Sequence, residues 1–164
     1  PNVRFEIKIM PCKLNYTGAD QIEFLFSANK STEMQPIAEV ASGGEIARVM
    51  LSLKAMIGGV VNLPTIIFDE IDTGVSGKIA QKMAQIMQEM AANQRQVISI
   101  THLPQIAAAG TTHYKVEKQE TTNGTISRMR QLTNKERIQE IAQMLSGNDI
   151  SEAAIQNAKE LLNL

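Results

Sequence analysis

The chain has 164 residues, 43% hydrophobic and 20% charged, enough to bury the core of one domain. With 16 basic against 17 acidic residues the formal net charge is -1, which excludes the strong basic excess of a stand-alone DNA-binding domain. No apolar run reaches the roughly 20 residues of a membrane span, no basic-then-apolar leader opens the chain, and Cys12 has no second cysteine to pair with, so no membrane partner and a reducing, cytoplasmic setting are expected.

The chain opens Pro1-Asn2-Val3, without an initiator Met, and runs at once into a strand pattern, so it reads as a piece of a longer protein. Val3, Phe5, Ile7 and Ile9 alternate with Arg4, Glu6 and Lys8, the period of a half-buried strand. A loop with Pro11 and Gly18 is expected next. Ile22, Phe24 and Phe26 then mark a second strand, antiparallel to the first, and residues Ala28 to Pro36 read as a polar loop. Ile46, Val49, Met50, Leu53, Met56 and Ile57 keep helical spacing, predicting a helix from near Gly44 to the Gly58-Gly59 pair.

Thr65 to Phe68 is a short apolar run ending in two acids, the pattern of a parallel strand buried on both faces. Ile79, Met83, Ile86, Met87 and Met90 mark a helix, and Val97 to Ile100 a second buried strand. Together they predict a βαβ unit, right-handed by default. A short helix over Pro104 to Ala109 follows. Thr112 to Lys118 and Thr125 to Leu132 flank Asn123-Gly124, a hairpin signal. Two helices close the chain, the first lined by Ile138, Ile141, Ala142 and Leu145. The second is capped by Ser151 and buries Ile155, Ala158, Leu161 and Leu162. The sum is an α/β fold over a single domain, 1–164: parallel strands flanked by helices, with N-terminal antiparallel strands and a late β-hairpin.

Four stretches carry chemistry. Ser42-Gly43-Gly44-Glu45 precedes a helix, where glycines allow close backbone approach and free N–H groups meet the positive end of the helix dipole. That suits a phosphate, although Ser42 as a plain helix cap is the bland alternative. Asp69 and Glu70 end a strand, where ligands of open α/β sheets bind. Asp69 suits Mg²⁺ and Glu70 suits activation of a water. Strands also end in acids merely because loops are solvated, but a third carboxylate at Asp72 crowds charge that needs compensation. Thr73, Gly74, Val75 and Ser76 form the flexible link to the next helix, open to a partner. Thr101-His102 ends the neighbouring strand, and His102 there suits a terminal phosphate, with a hydrogen-bonded structural histidine as the bland alternative, the reading given to His113 on the hairpin. The run Gly74 to Lys78 imitates a phosphate loop but fails the pattern: position 72 is Asp72 rather than Gly, and position 79 is Ile79 rather than Ser or Thr.

In this order the stretches resemble the second half of an ABC-type ATPase head, a P-loop NTPase-like fold. Ser42 to Glu45 resembles the signature motif, Thr65 to Glu70 resembles Walker B with its catalytic Glu, Thr73 to Ser76 falls where the D-loop lies, and His102 resembles the switch histidine. Ala41 to Arg48 is similar to the chromosome-maintenance, SMC-like branch. Phe68 to Gly77 and Ile100 to Ile106 resemble more narrowly a bacterial SMC-like family of double-strand-break repair proteins, and that resemblance extends over essentially the whole chain. Ser76 departs from the Asp that most ABC proteins carry in the D-loop.

The resemblance implies that Walker A, the Q-loop and a coiled coil lie N-terminal to this segment. It also implies ATP and Mg²⁺ as cofactors of the whole protein: Ser42, Gly43, Gly44 and Glu45 reach the ATP of a second head in trans, Asp69 supports the metal, Glu70 activates water, and His102 touches the γ-phosphate. The implied partners are a second copy of the head, the Walker A half of the same protein, and DNA. The setting is the nucleoid during the response to DNA damage (SOS response). The segment alone is expected to be inactive. The alternatives are the head of another SMC-like ATPase, a metal-dependent hydrolase using Asp69, Glu70, Asp72 and His102, and a non-catalytic interaction module.

Overall fold

In the computed structural model the described residues are 3–27, 30, 32–40, 43–58, 63–92, 94–122, 124–147 and 149–164. They fall into two compact units, 1–50 and 51–164.

The first unit is built on an antiparallel sheet of β1 (Arg4–Asn15), β2 (Gly18–Ser27) and the two-residue β3 (Gln35–Pro36), in the order β1-β2-β3. The expected loop at Pro11 is instead strand, because β1 is an edge strand and an edge tolerates a residue with no N–H to donate. The register slips between Pro11 and Asn15. Part of the expected polar loop also joins the sheet, where Leu25 pairs with Pro36 and Phe26 with Gln35. A short helix, α1 (Ile37–Val40), follows β3.

Period two puts Phe5, Ile7 and Ile9 on one face with their cross-strand partners Phe26, Phe24 and Ile22. Phe5 and Phe24 stack with centroids 6.1 Å apart. Only Phe26 of this set is buried; the other five stand open among the described residues, so the half-burial that the alternation predicts is absent.

Helix α2 (Gly43–Gly58) begins in the first unit and ends in the second. The centre of the second unit is a strand–helix–strand: β4 (Thr65–Asp69), α3 (Gly77–Ala92) and β5 (Gln96–Ile100), with β4 and β5 parallel and in register from Thr65–Gln96 to Asp69–Ile100. Ile66 and Phe68 point into a core with Leu51, Met83, Met87, Met90 and Ile106. Each such side chain, fully buried, contributes about 1.5–3 kcal/mol. Lys54 lies over the Phe68 ring, 5.4 Å from its centroid.

Among the described residues the opposite face of this pair is open. Ile67 is 56% exposed and Ile100 52%. The sequence pattern of burial on both faces is therefore met on one face only, the face that α3 and Leu51 cover.

Helix α4 (Pro104–Ala109) starts with Pro at its first turn, where no N–H is required. The hairpin β6 (Tyr114–Thr121) and β7 (Gly124–Gln131) closes with Thr121 paired to Gly124, whose φ of 122° needs glycine. Asn123, half of the hairpin signal, lies outside the described residues.

Helices α5 (Asn134–Ser146) and α6 (Glu152–Leu161) pack with α4 through Ile141 and through Ala107, Ala108, Ala142, Ala154 and Ala158, alanines whose small side chains bring helices close. Thr133 and Glu136 form a capping box at α5, and Ser151 caps α6 by accepting from the Ala154 N–H. Among the described residues no helix is long and apolar enough to cross a membrane.

Candidate functional site

The second unit gathers Asp69, Glu70, the residues from Thr73 to Ser76, and His102 around the carboxyl ends of two adjacent parallel strands, because β4 and β5 run in register to Asp69 and Ile100. This is the end of an open α/β sheet at which ligands bind. Asp69 and Glu70 are both exposed. Neither side chain takes part in a hydrogen bond or ion pair among the described residues, so both carboxylates present acceptor oxygens outward.

Glu70 is held in an unusual backbone state, with a φ of 46°. A left-handed conformation costs a side-chain-bearing residue roughly 1–2 kcal/mol. Its neighbours enforce it: the Glu70 N–H donates 3.0 Å to the Ile100 carbonyl, extending the parallel ladder one residue beyond β4. The Glu70 carbonyl then accepts from the Thr73 hydroxyl at 3.0 Å and the Thr73 N–H at 3.4 Å. The chain thus turns sharply at the residue whose carboxylate stands at the strand end.

The link from Thr73 to Ser76 is a closed pair of turns rather than a loose connection. The Val75 N–H donates to the Asp72 carbonyl at 3.0 Å and the Ile79 N–H to the Ser76 carbonyl at 3.1 Å, with Gly74 and Gly77 at φ 71° and 45°. Val75 is buried in the core, while Thr73, Gly74 and Ser76 are exposed around it.

His102 is 63% exposed in its side chain, with Nδ1 3.6 Å from the Asp72 carboxylate. Sequence reasoning counted Asp72 as one more repelling charge and gave Thr101 no role. In the structure Thr101 donates its hydroxyl to Asp72, and the Leu103 N–H donates to that same hydroxyl oxygen at 3.0 Å. The available signal was a hydroxyl residue directly before the histidine, at the level of a carboxylate three residues past Asp69.

Gly43, Gly44 and Glu45 open α2 in the first unit, and Ser42 lies outside the described residues. A Cβ added at Gly43 would meet nothing within 4 Å, so no packing among the described residues demands glycine there. The position leaves room for a group to approach the helix start. Glu45 sits in the first turn, where a negative charge suits the helix dipole.

Among the described residues no three His, Cys, Asp or Glu side chains gather as a metal-binding set. Mg²⁺ bound with a phosphate substrate does not need one, since it retains waters and takes one or two carboxylates plus phosphate oxygens. The exposed Asp69 carboxylate fits that donor chemistry. His113, just before β6, is pushed below the usual histidine range by burial, with the Arg137 guanidinium adding to the shift and Glu140 opposing it.

No family model matches the chain. It is 47% identical over 145 residues to the DNA repair protein RecN of Deinococcus radiodurans, covering 88% of this chain and 25% of that protein. To the DNA repair protein RecN of Halalkalibacterium halodurans it is 42% identical over 147 residues, 90% of this chain and 26% of that one. It therefore spans about a quarter of the length of these curated relatives. In fold it is similar to the Smc head domain with a coiled coil and joint from Pyrococcus yayanosii, with a TM-score of 0.67 at 20% identity over 89% of this chain and 26% of the other. On these likenesses the chain has the fold of part of an Smc head domain and matches, as a fragment, about a quarter of the DNA repair protein RecN of these bacteria.

Proposed function

We propose that this segment is the hydrolytic half of an ATP-driven head in a double-strand-break repair protein. One observation carries the reading: two exposed carboxylates without partners among the described residues, Asp69 and Glu70, stand at the carboxyl end of β4, one strand away from His102. In the whole protein the Walker A half would hold ATP. Asp69 would support the Mg²⁺ that accompanies it, Glu70 would take the proton of the attacking water, and His102 would contact the γ-phosphate. The open start of α2 at Gly43 and Gly44, with Ser42 and Glu45, would close the ATP site of a second head, using helix N–H groups as phosphate ligands. The exposed residues Thr73, Gly74 and Ser76 would lie where that second head approaches, turned about the buried Val75.

On this reading residues 1–164 form the C-terminal part of one head. The whole protein is a homodimer whose heads engage on ATP and part on hydrolysis while it handles DNA in the cytoplasm, at the nucleoid. The left-handed backbone of Glu70 supports a functional rather than a merely solvated acid, because strain of this kind collects at functional sites. An interaction module would gain nothing from holding a glutamate in that conformation. Glu70→Gln in the full-length protein is the test: it keeps shape but removes the base, so turnover falls about 10²–10⁴-fold, while ATP-dependent dimers accumulate on size exclusion. Unchanged turnover would return the interaction-module reading to the lead.

A further inference from the structure

Asp72 is the only buried charged side chain among the described residues, with a relative exposure of 1%. Burying a carboxylate is costly unless its oxygens are satisfied. Only one of them is: Thr101 donates its hydroxyl to Oδ2, while Oδ1 is buried without a hydrogen bond. That second oxygen faces the imidazole of His102, with Nδ1 at 3.6 Å. The gap is longer than a hydrogen bond, and His102 is free enough, at 63% exposure, for a small ring rotation to close it.

The arrangement is fixed from both strand ends. The Asp72 carbonyl holds the Val75 N–H and so closes the turn after β4. The Asp72 carboxylate holds Thr101, whose oxygen in turn holds the Leu103 N–H and shapes the turn after β5. His102 lies between the two residues so tied. A carboxylate serving only to staple the two turns needs no oxygen directed at an imidazole. A carboxylate facing Nδ1 fixes the ring plane and leaves Nε2, on the far side of the ring, to meet a ligand. This is the means by which buried acids orient functional histidines elsewhere.

We infer that Asp72 is a positioning residue: anchored by Thr101, it orients His102 through Nδ1, so that the turns after β4 and β5 move as one piece. The inference rests on the function proposed above, in which His102 reaches the γ-phosphate.

The test is a double-mutant cycle in the full-length protein, reading kcat and KM for ATP together with the thermal midpoint. Asp72→Asn keeps the shape but weakens the hold on the imidazole. It should lower kcat roughly ten- to hundredfold, as lost orienting partners do, with KM little changed. In a His102→Ala background the same substitution should cost almost nothing further, because the two residues act as a unit. Thr101→Val should behave likewise, and Thr101→Ser, which keeps the hydroxyl, should restore turnover. The Thr101 pair carries the test if Asp72→Asn does not fold. Losses that multiply independently of His102 overturn the inference and leave the proposed function standing. A His102→Ala protein with full turnover overturns the proposed function, and this inference with it.

Discussion

Replacing Glu70 with glycine should stabilise the protein while abolishing its turnover. Glu70 has a φ of 46°, and its carboxylate is exposed and engages nothing among the described residues, so removing the side chain sacrifices little packing. Relief of the left-handed backbone is worth roughly 1–2 kcal/mol. Against it stands the extra freedom of glycine in the unfolded chain, roughly 0.5–1 kcal/mol. The net gain is about 0–1.5 kcal/mol, near 0.75 at the midpoints, over Glu70→Gln, which keeps the strain and removes only the charge. In a cooperative unit of 150–250 residues, 1 kcal/mol moves the midpoint about 2–4 °C, so at the midpoint gain the glycine variant should melt about 1.5–3 °C above the glutamine variant. Scanning calorimetry on the two full-length variants, beside a steady-state ATPase assay, reads both effects. A glycine variant that melts at or below the glutamine variant would refute the strain argument. A glycine variant that still turns over ATP would refute the role given to the carboxylate.

Ile141 is 0% exposed and is the one large side chain in a buried cluster otherwise made of alanines, so its loss leaves a cavity that neighbours such as Met144 and Leu161 fill only in part. Ile141→Ala should cost about 2–5 kcal/mol, read as a lower urea midpoint with an unchanged slope. His113 has its pKa lowered in the fold by burial first, so the unfolded chain takes up its proton more readily. Stability should be full above pH 6.5 and decline as the pH falls below it, and His113→Gln should flatten that slope. Glu136 acts in the same direction, in a more acidic window. The Thr133 N–H first, then its hydroxyl, then Arg130 lower it from 4.5 to about 2. Its stabilising effect should be present above pH 4.5 and fade toward pH 2, a slope absent from Glu136→Gln. Finally, the 164-residue segment by itself should fail to bind Mg-ATP in calorimetry, because phosphate contacts from a P-loop are missing from its sequence; micromolar binding would contradict this.

What was legible in the sequence followed from periodicity and punctuation. Apolar spacing located α2 and α3, and Ser151 and Pro104 marked helix starts, because the cause of each is local. The order glycines, Asp-Glu, glycine loop, Thr-His identified the arrangement at the ends of β4 and β5, because parallel pairing is the simplest way to join those segments. Burial was less legible. Runs such as Ile66-Ile67-Phe68 show that a strand can be covered on both faces, but not that the described residues cover only one. The same holds for Phe5, Ile7 and Ile9, whose alternation is real and whose face is open. Pro11 misled because proline ends central strands, and no sequence signal says that β1 is an edge. The tie between Asp72 and Thr101 spans 29 positions and depends on the register of two strands, so it became visible only in three dimensions.

The central claim is that this segment completes ATP sites shared between two copies, with Glu70 acting in its own head and Ser42 in the opposite one. Mixing two inactive full-length variants tests it most directly. Ser42→Arg should block the phosphate-facing helix start, and Glu70→Gln should remove the base, so each should be inactive alone. In a mixed dimer the Ser42→Arg subunit keeps its own Glu70 and borrows an intact Ser42 from its partner, giving one sound site. Random pairing of equal amounts, mixed before ATP is added, should therefore recover roughly a quarter of wild-type turnover. Turnover that stays at the level of the separate variants, with mixed dimers demonstrated in the sample, would contradict the account.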